Sequence, residues 1–173
     1  MQNLECHPCF SESAHSSYGR IHLPVARLCN LGCRYCERSM GGPSYHSYRP
    51  AVCDRLVSPG EALELVEKYS RDHRLRVIGI AGPGEPLFNH ETFETLELVG
   101  SAFPGRILCL STNGLLLPRH AETLDQLGVS TVTVTINTLR PGTAERIYRH
   151  AIVGREVIRG PEVGPWYPGR WRG

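Results

Sequence analysis

Apolar residues recur along the chain at two periods, and the periods alternate. Ala62, Leu65, Val66 and Tyr69 fall at i, i+3, i+4 and i+7, the spacing of one helical face. Ser58, Pro59 and Glu61 in front of them make a capping box with proline in the first helical position. The unbroken run L-R-V-I-G-I-A-G, residues 75–82, reads as a buried strand. Phe93, Leu96 and Val99 then mark a helix from about Glu91 to Ala102, and R-I-L-C-L-S-T-N-G, residues 106–114, is the next strand. Ala121, Leu124 and Leu127 outline a further helix, which Gly128 stops. V-S-T-V-T-V-T-I-N, residues 129–137, is a strand again, with a helical turn or two around Ala144 to Arg149. Ahead of all these, R-I-H-L-P-V-A-R, residues 20–27, reads as a first strand, with Pro24 arguing against a central position.

Strands alternating with helices predict right-handed βαβ units on a parallel sheet. The fold class expected is α/β, a partial (β/α) barrel of about four βα units over residues 20–153. Residues 1–19 form an N-terminal segment. Residues 154–173 hold five glycines, three prolines, two tryptophans and four arginines without a helical or strand period, and read as an irregular tail. Met40 to Arg49 reads as a connection. Unusual residues stand where strands end: Cys29 after the first, A-G-P-G-E-P after the second, S-T-N-G after the third and Asn137 after the fourth. Sites form at the carboxyl ends of parallel strands, so these four stretches are expected on one rim.

Composition narrows the class. The formal charge of +2 gives no electrostatic argument for nucleic acid or a membrane surface. The N-terminus lacks a charged segment followed by an apolar run, and no apolar run approaches a membrane span, so a cytoplasmic protein is expected. Cysteine number is odd, seven, and five of them lie in the first 36 residues. In a reducing compartment such clustering points to metal rather than to disulfides. Cys29, Cys33 and Cys36 give C-x3-C-x2-C with Tyr35 before the last thiol. A four-iron cubane wants four terminal ligands, and three cysteines leave one iron open to an exchangeable ligand. A zinc site with a fourth ligand such as His22 is a rival reading, and a C-x-x-C redox pair is another, though that leaves Cys29 unexplained.

The cysteine spacing, with G-P-G-E-P (Gly82 to Pro86) and S-T-N-G (Ser111 to Gly114) following in order, resembles the radical S-adenosylmethionine superfamily. Within it, H-P-C-F-S-E-S-A-H-S-S-Y-G-R-I-H-L-P-V-A, R-P-A-V, V-S-P-G-E-A-L and L-C-L-S-T-N-G-L-L-L-P resemble the NifB family of nitrogenase cofactor biosynthesis, collinearly over about residues 5 to 150. The resemblance implies a [4Fe-4S] cluster on Cys29, Cys33 and Cys36, the catalytic trio. It also implies S-adenosylmethionine bound along Tyr35, Gly82, Gly84, Glu85, Ser111, Thr112, Asn113 and Asn137, with Glu85 accepting from its amino group. A further [4Fe-4S] substrate cluster is implied on Cys9, His22 and Cys109, with His7 a weaker candidate. The family joins two such units with a carbon from S-adenosylmethionine into the carbide-containing precursor of the cofactor. Cluster donors, an electron donor and cofactor carrier proteins are the implied partners. The chain departs from the family where a further cysteine is expected after the loop and Gly42 stands, and in having no C-terminal cysteine pair. Cys6 and Cys53 have no family role. A radical enzyme with another substrate, and an inactive cluster-binding fragment or carrier, are the alternatives.

Overall fold

The computed structural model describes residues 4–37 and 50–169. The connection expected over Met40 to Arg49, Gly42 and the tail from Arg170 onward lie outside them.

Strands β1 (Gly19–His22), β3 (Leu75–Ile80), β4 (Ile107–Thr112) and β5 (Val129–Val134) form one parallel sheet in the order β1-β3-β4-β5. Helices α2 (Pro59–Ser70), α3 (His90–Ala102) and α4 (Leu117–Gln126) connect them. As Pro24 requires, β1 is an edge strand and ends before the proline. The chain stays extended beyond it, and Ala26 makes a parallel bridge to Pro83. The capping box of α2 forms as expected: Ser58 N–H donates to Glu61 Oε2 at 2.8 Å and Glu61 N–H to Ser58 Oγ at 3.2 Å. Gly128, at φ 73, ends the turn after α4.

Alternation along the central strands sorts the two faces of the sheet. Ile78, Ile80, Leu108 and Leu110 join Ala62, Val66, Leu96, Val99 and Leu124 in the main core beneath the helices. Fully burying each of the Val, Leu and Ile side chains among them contributes about 1.5–3 kcal/mol. Val77, Ile107 and Cys109 occupy the opposite face, where Cys6 packs on them. The N-terminal segment, which includes α1 (Glu12–Ser17), thus brings Cys6 under the sheet. Two helix positions differ from expectation. Tyr69 is half exposed, its ring under the Lys68 ammonium at 5.4 Å, and Ala121 is exposed.

Within the stretch read as an irregular tail, residues 154–169 are folded. α5 (Pro141–Ile147) leads into β6 (Tyr148–Val153), which pairs antiparallel with β7 (Glu156–Arg159), and α6 (Val163–Gly169) packs back on α5. Two of the glycines here serve turns: Gly154 (φ 59) and Gly160 (φ 56) take left-handed conformations that punctuate the hairpin and its exit. A four-residue strand and a seven-residue helix are too short to show a period. The third strand of this small sheet, β2 (Leu31–Cys33), lies inside the cysteine loop and pairs with β6. Among the described residues, no helix is long and apolar enough to cross a membrane.

Candidate functional site

The extended chain after β1, the turn after β3 and the turn after β4 meet at the carboxyl ends of the strands. Gly84 N–H donates to Ala26 O at 2.6 Å and Glu85 N–H to Leu28 O at 2.8 Å, continuing the ladder past the sheet. A Cβ at position 84 would lie 2.2 Å from Leu28 O, so only glycine permits this approach. Gly82, at φ 141, gives the turn its direction. Asn89 closes the join from the other side: its Oδ1 accepts from Leu28 N, and its Nδ2 donates to Leu28 O and Glu85 O, at 2.7–2.8 Å.

These contacts surround a cavity of about 290 Å³ lined by Cys29, Cys33, Cys36, Tyr35, Pro83, Gly84, Glu85, Ser111, Thr112, Asn113 and Asn137, with Pro50 and Ala51 beside them. All four strand-end stretches therefore reach one space. Gly82 does not; it lines a neighbouring cavity of about 260 Å³ together with His22 and Cys53.

Glu85 is almost fully buried. Its Oε1 accepts from Leu87 N–H at 3.1 Å and from the Thr112 hydroxyl, and its Oε2 from Asn113 N–H at 2.7 Å. Burial pushes its carboxyl above the usual range, and the hydrogen bonds from Asn113, Thr112 and Leu87 oppose that shift. An ionised carboxylate offers about four acceptor sites, so Oε2 keeps room for one more donor on the cavity side.

The three loop cysteines are not in disulfides. Leu31 N–H lies 3.5 Å from Cys29 Sγ. Cys33 is hydrogen-bonded to the Cys36 thiol, and that contact, with burial, pushes Cys33 far up while the Tyr35 hydroxyl pulls it down. Asn30, fully buried between the first two cysteines in sequence, accepts from Asn113 Nδ2 at 2.7 Å, while its own Nδ2 has no hydrogen-bond partner. A buried amide donor without an acceptor beside a set of thiols fits a site meant to hold sulfur-rich negative charge. Among the described residues, no three Cys, His, Asp or Glu side chains gather where one metal ion could sit, which is what a zinc site needs. A cubane takes one thiolate per iron and suits donors spread around a cavity.

The residues expected on a second cluster lie elsewhere. His22, Gly79, Cys109 and Thr131 are in one register row across the sheet. A Cβ at Gly79 would lie 2.8 Å from the His22 ring, so the glycine leaves the recess in which the imidazole rests. Cys109 is buried, and burial raises its thiol. Cys9 is exposed, with its sulfur against the Arg20 guanidinium. His7 is fully buried and engaged at both ring nitrogens: Nδ1 accepts from Cys9 N–H at 3.1 Å, leaving Nε2, 3.5 Å from Thr131 Oγ1, to carry the proton. Asn30, Asn89 and Tyr148 were not singled out by the sequence. Asn89 carried a signal only as a residue in front of a helix.

The Radical SAM superfamily profile matches residues 23–159. FeMo cofactor biosynthesis protein NifB of Methanocaldococcus infernus is 42% identical over 160 residues, covering 92% of this chain and 53% of that protein. NifB of Methanocaldococcus jannaschii is 43% identical, covering 90% and 52%, and NifB of Klebsiella pneumoniae is 44% identical, covering 91% and 34%. The chain thus spans about half the length of the first two and about a third of the last. Among solved structures, the crystal structure of BtrN in complex with AdoMet and 2-DOIA matches with a TM-score of 0.51 at 24% identity, over 68% of this chain and 45% of that one, a likeness of fold alone. With the three-cysteine loop and the motif after each parallel strand all on one cavity, and the superfamily's profile running through most of the sheet, this chain belongs to the radical SAM superfamily.

Proposed function

We propose that this chain carries the S-adenosylmethionine-cleaving centre of a NifB-like enzyme of FeMo cofactor biosynthesis. The observation that carries the reading is the single cavity on which Cys29, Cys33 and Cys36 face Glu85, Thr112 and Asn113. When bound, a [4Fe-4S] cluster supplies the electron that cleaves the sulfonium of S-adenosylmethionine, chemistry that belongs to the cofactor. The chain's own residues bind and orient. Cys29, Cys33 and Cys36 lose their protons on taking iron. Glu85 accepts the amino group of S-adenosylmethionine at the remaining site on Oε2, already aligned by Asn113 N–H. Gly84, Ser111, Thr112, Tyr35 and Asn137 line the same cavity. The Gly82 turn lies beside it without lining it.

In this reading, a [4Fe-4S] substrate unit meets Cys9, His22 and Cys109 on the sheet face away from the helices, beside residues 4–19. Insertion of carbide, electron donors, cluster donors and carriers belong to the same proposal, which rests on the likeness to NifB.

Anaerobic reconstitution with iron and sulfide, followed by S-adenosylmethionine and dithionite, tests it. The expected outcome is a reduced four-iron signal and release of 5′-deoxyadenosine, both absent from Cys33→Ala. Iron binding without 5′-deoxyadenosine would instead mark an inactive cluster carrier. Cleavage with a single cluster per chain, even when further clusters are supplied, would mark a radical SAM enzyme with another substrate.

A further inference from the structure

The face of the sheet away from the helices carries two register rows. Arg20, Val77 and Ile107 stand in one, and His22, Gly79, Cys109 and Thr131 in the next. β1 and β5 are the edges of this sheet, so Arg20 and Thr131 stand at opposite sides of the face. A three-residue stretch of the N-terminal segment touches both sides. His7 Nε2 lies 3.5 Å from Thr131 Oγ1, and the Cys9 sulfur meets the Arg20 guanidinium. Cys6, one residue earlier, packs on Val77, Ile107 and Cys109.

His7 is the hub of this stretch. It is wholly buried, and Nδ1 accepts from Cys9 N–H at 3.1 Å, which occupies the lone pair there. Nε2 then carries the ring proton and turns it toward Thr131. An iron ligand needs a bare nitrogen, and His7 has none to offer. Its carbonyl is engaged as well: Phe10 N–H and Ser11 N–H donate to it at 3.0 and 3.2 Å. They close a turn in which Pro8 fixes its own φ. The Phe10 ring covers the imidazole at a centroid distance of 4.5 Å, and Ser11 caps α1. Cys9 is thus held through its backbone by His7 and through its sulfur by Arg20, which lies two residues before His22 on the same face of β1.

We propose that His7 is a positioning residue and not a ligand: its Nδ1 holds the Cys9 backbone so that the Cys9 thiol is presented on the sheet face that carries His22 and Cys109. Groups that orient a ligand from outside the coordination sphere commonly matter to affinity about 10- to 100-fold. The inference deepens the reading that a substrate cluster meets this face, and rests on it for its effect on iron.

Two readouts test it. The first uses metal-free protein labelled with ¹⁵N at cysteine, in which the Cys9 amide is assigned by its loss in Cys9→Ser. That resonance should move in His7→Gln, which lacks an acceptor at the Nδ1 position, and return close to wild type in His7→Asn, whose Oδ1 restores one. The second uses the chain with Cys29, Cys33 and Cys36 replaced by Ala, reconstituted with iron and sulfide, so that iron on the other face is counted alone. Its affinity for a four-iron unit, followed by absorbance and EPR, should fall about 10- to 100-fold with His7→Gln and be largely kept with His7→Asn. A Cys9 amide unmoved by His7→Gln, or His7→Asn no better than His7→Gln in either readout, overturns the proposal. Failure of the chain with an intact His7 to hold any cluster on this face would sink the substrate-cluster reading instead, and the amide would still decide whether His7 holds Cys9.

Discussion

Glu85 combines burial, which disfavours its charge, with three hydrogen-bond donors, which favour it, and burial is the larger effect. A carboxyl whose value is raised in the folded state contributes its stability below the usual carboxylate range and loses it as pH rises through the raised value. The metal-free protein should therefore lose stability above about pH 4.5 with a slope that Glu85→Gln flattens, read from urea unfolding at several pH values. The same substitution should weaken S-adenosylmethionine binding to the reconstituted protein about 10- to 100-fold, the effect of a hydrogen bond to a charged group worth about 1.5–3 kcal/mol. A variant with wild-type affinity would leave Glu85 a tie between turns and nothing more. Glu85 was legible through the likeness of its G-P-G-E-P stretch to the superfamily's glycine-rich motif. Asn89 and Asn30 were not, since their partners lie 61 and 83 residues away and an asparagine carries no sign of a distant acceptor. His22 and Cys109 were legible as strand residues, but the row that joins them through Gly79 depends on sheet register, which no local pattern specifies.

Elements with a full turn or more of period declared themselves, and α2 shows why. Its apolar face and its cap agree, so local preference and tertiary packing select the same residues. Ser58→Ala removes the side-chain acceptor for Glu61 N–H and should cost about 1 kcal/mol in thermal or urea unfolding. The Glu61 carboxyl is held down to about 2 by Ser58 N–H, then by Arg55 and the Ser58 side chain. A depressed carboxyl stabilises above its ordinary value and loses that contribution as pH falls through the folded one. The stability gap between wild type and Glu61→Gln should accordingly be present above about pH 4.5 and close as pH approaches 2. β2, β7 and α6 escaped the same reading for a physical reason. β2 is three residues long, and β7 and α6 are rich in turn residues or too short for a face, so each is held by its neighbours rather than by its own pattern.

At the scale of the whole molecule the cavity lies between two packed layers rather than on the parallel sheet alone. The sheet and α2 to α4 enclose one core; β2, β6, β7, α5 and α6 enclose another around Tyr148 and Tyr167. Cys29 and Cys33 pack against the second core, whereas Glu85, Thr112 and Asn113 belong to the sheet. The loop carrying Cys29, Cys33 and Cys36 is thus anchored on one side by Asn89 and Leu28 and on the other by the β2–β6 ladder. If the second layer opens as a unit, its loss should free the cysteine loop while leaving the sheet intact, since local opening follows contiguous cooperative blocks. Tyr167→Ala empties the centre of that layer, a truncation of the kind that costs about 3–5 kcal/mol for a buried aromatic ring. Hydrogen exchange should then show faster labelling of residues 31–34 together with 148–159, and unchanged protection of 77–80 and 107–112. Loss of protection confined to 163–169 would show that α6 merely covers the hairpin, and that the cysteine loop is held by the sheet side alone.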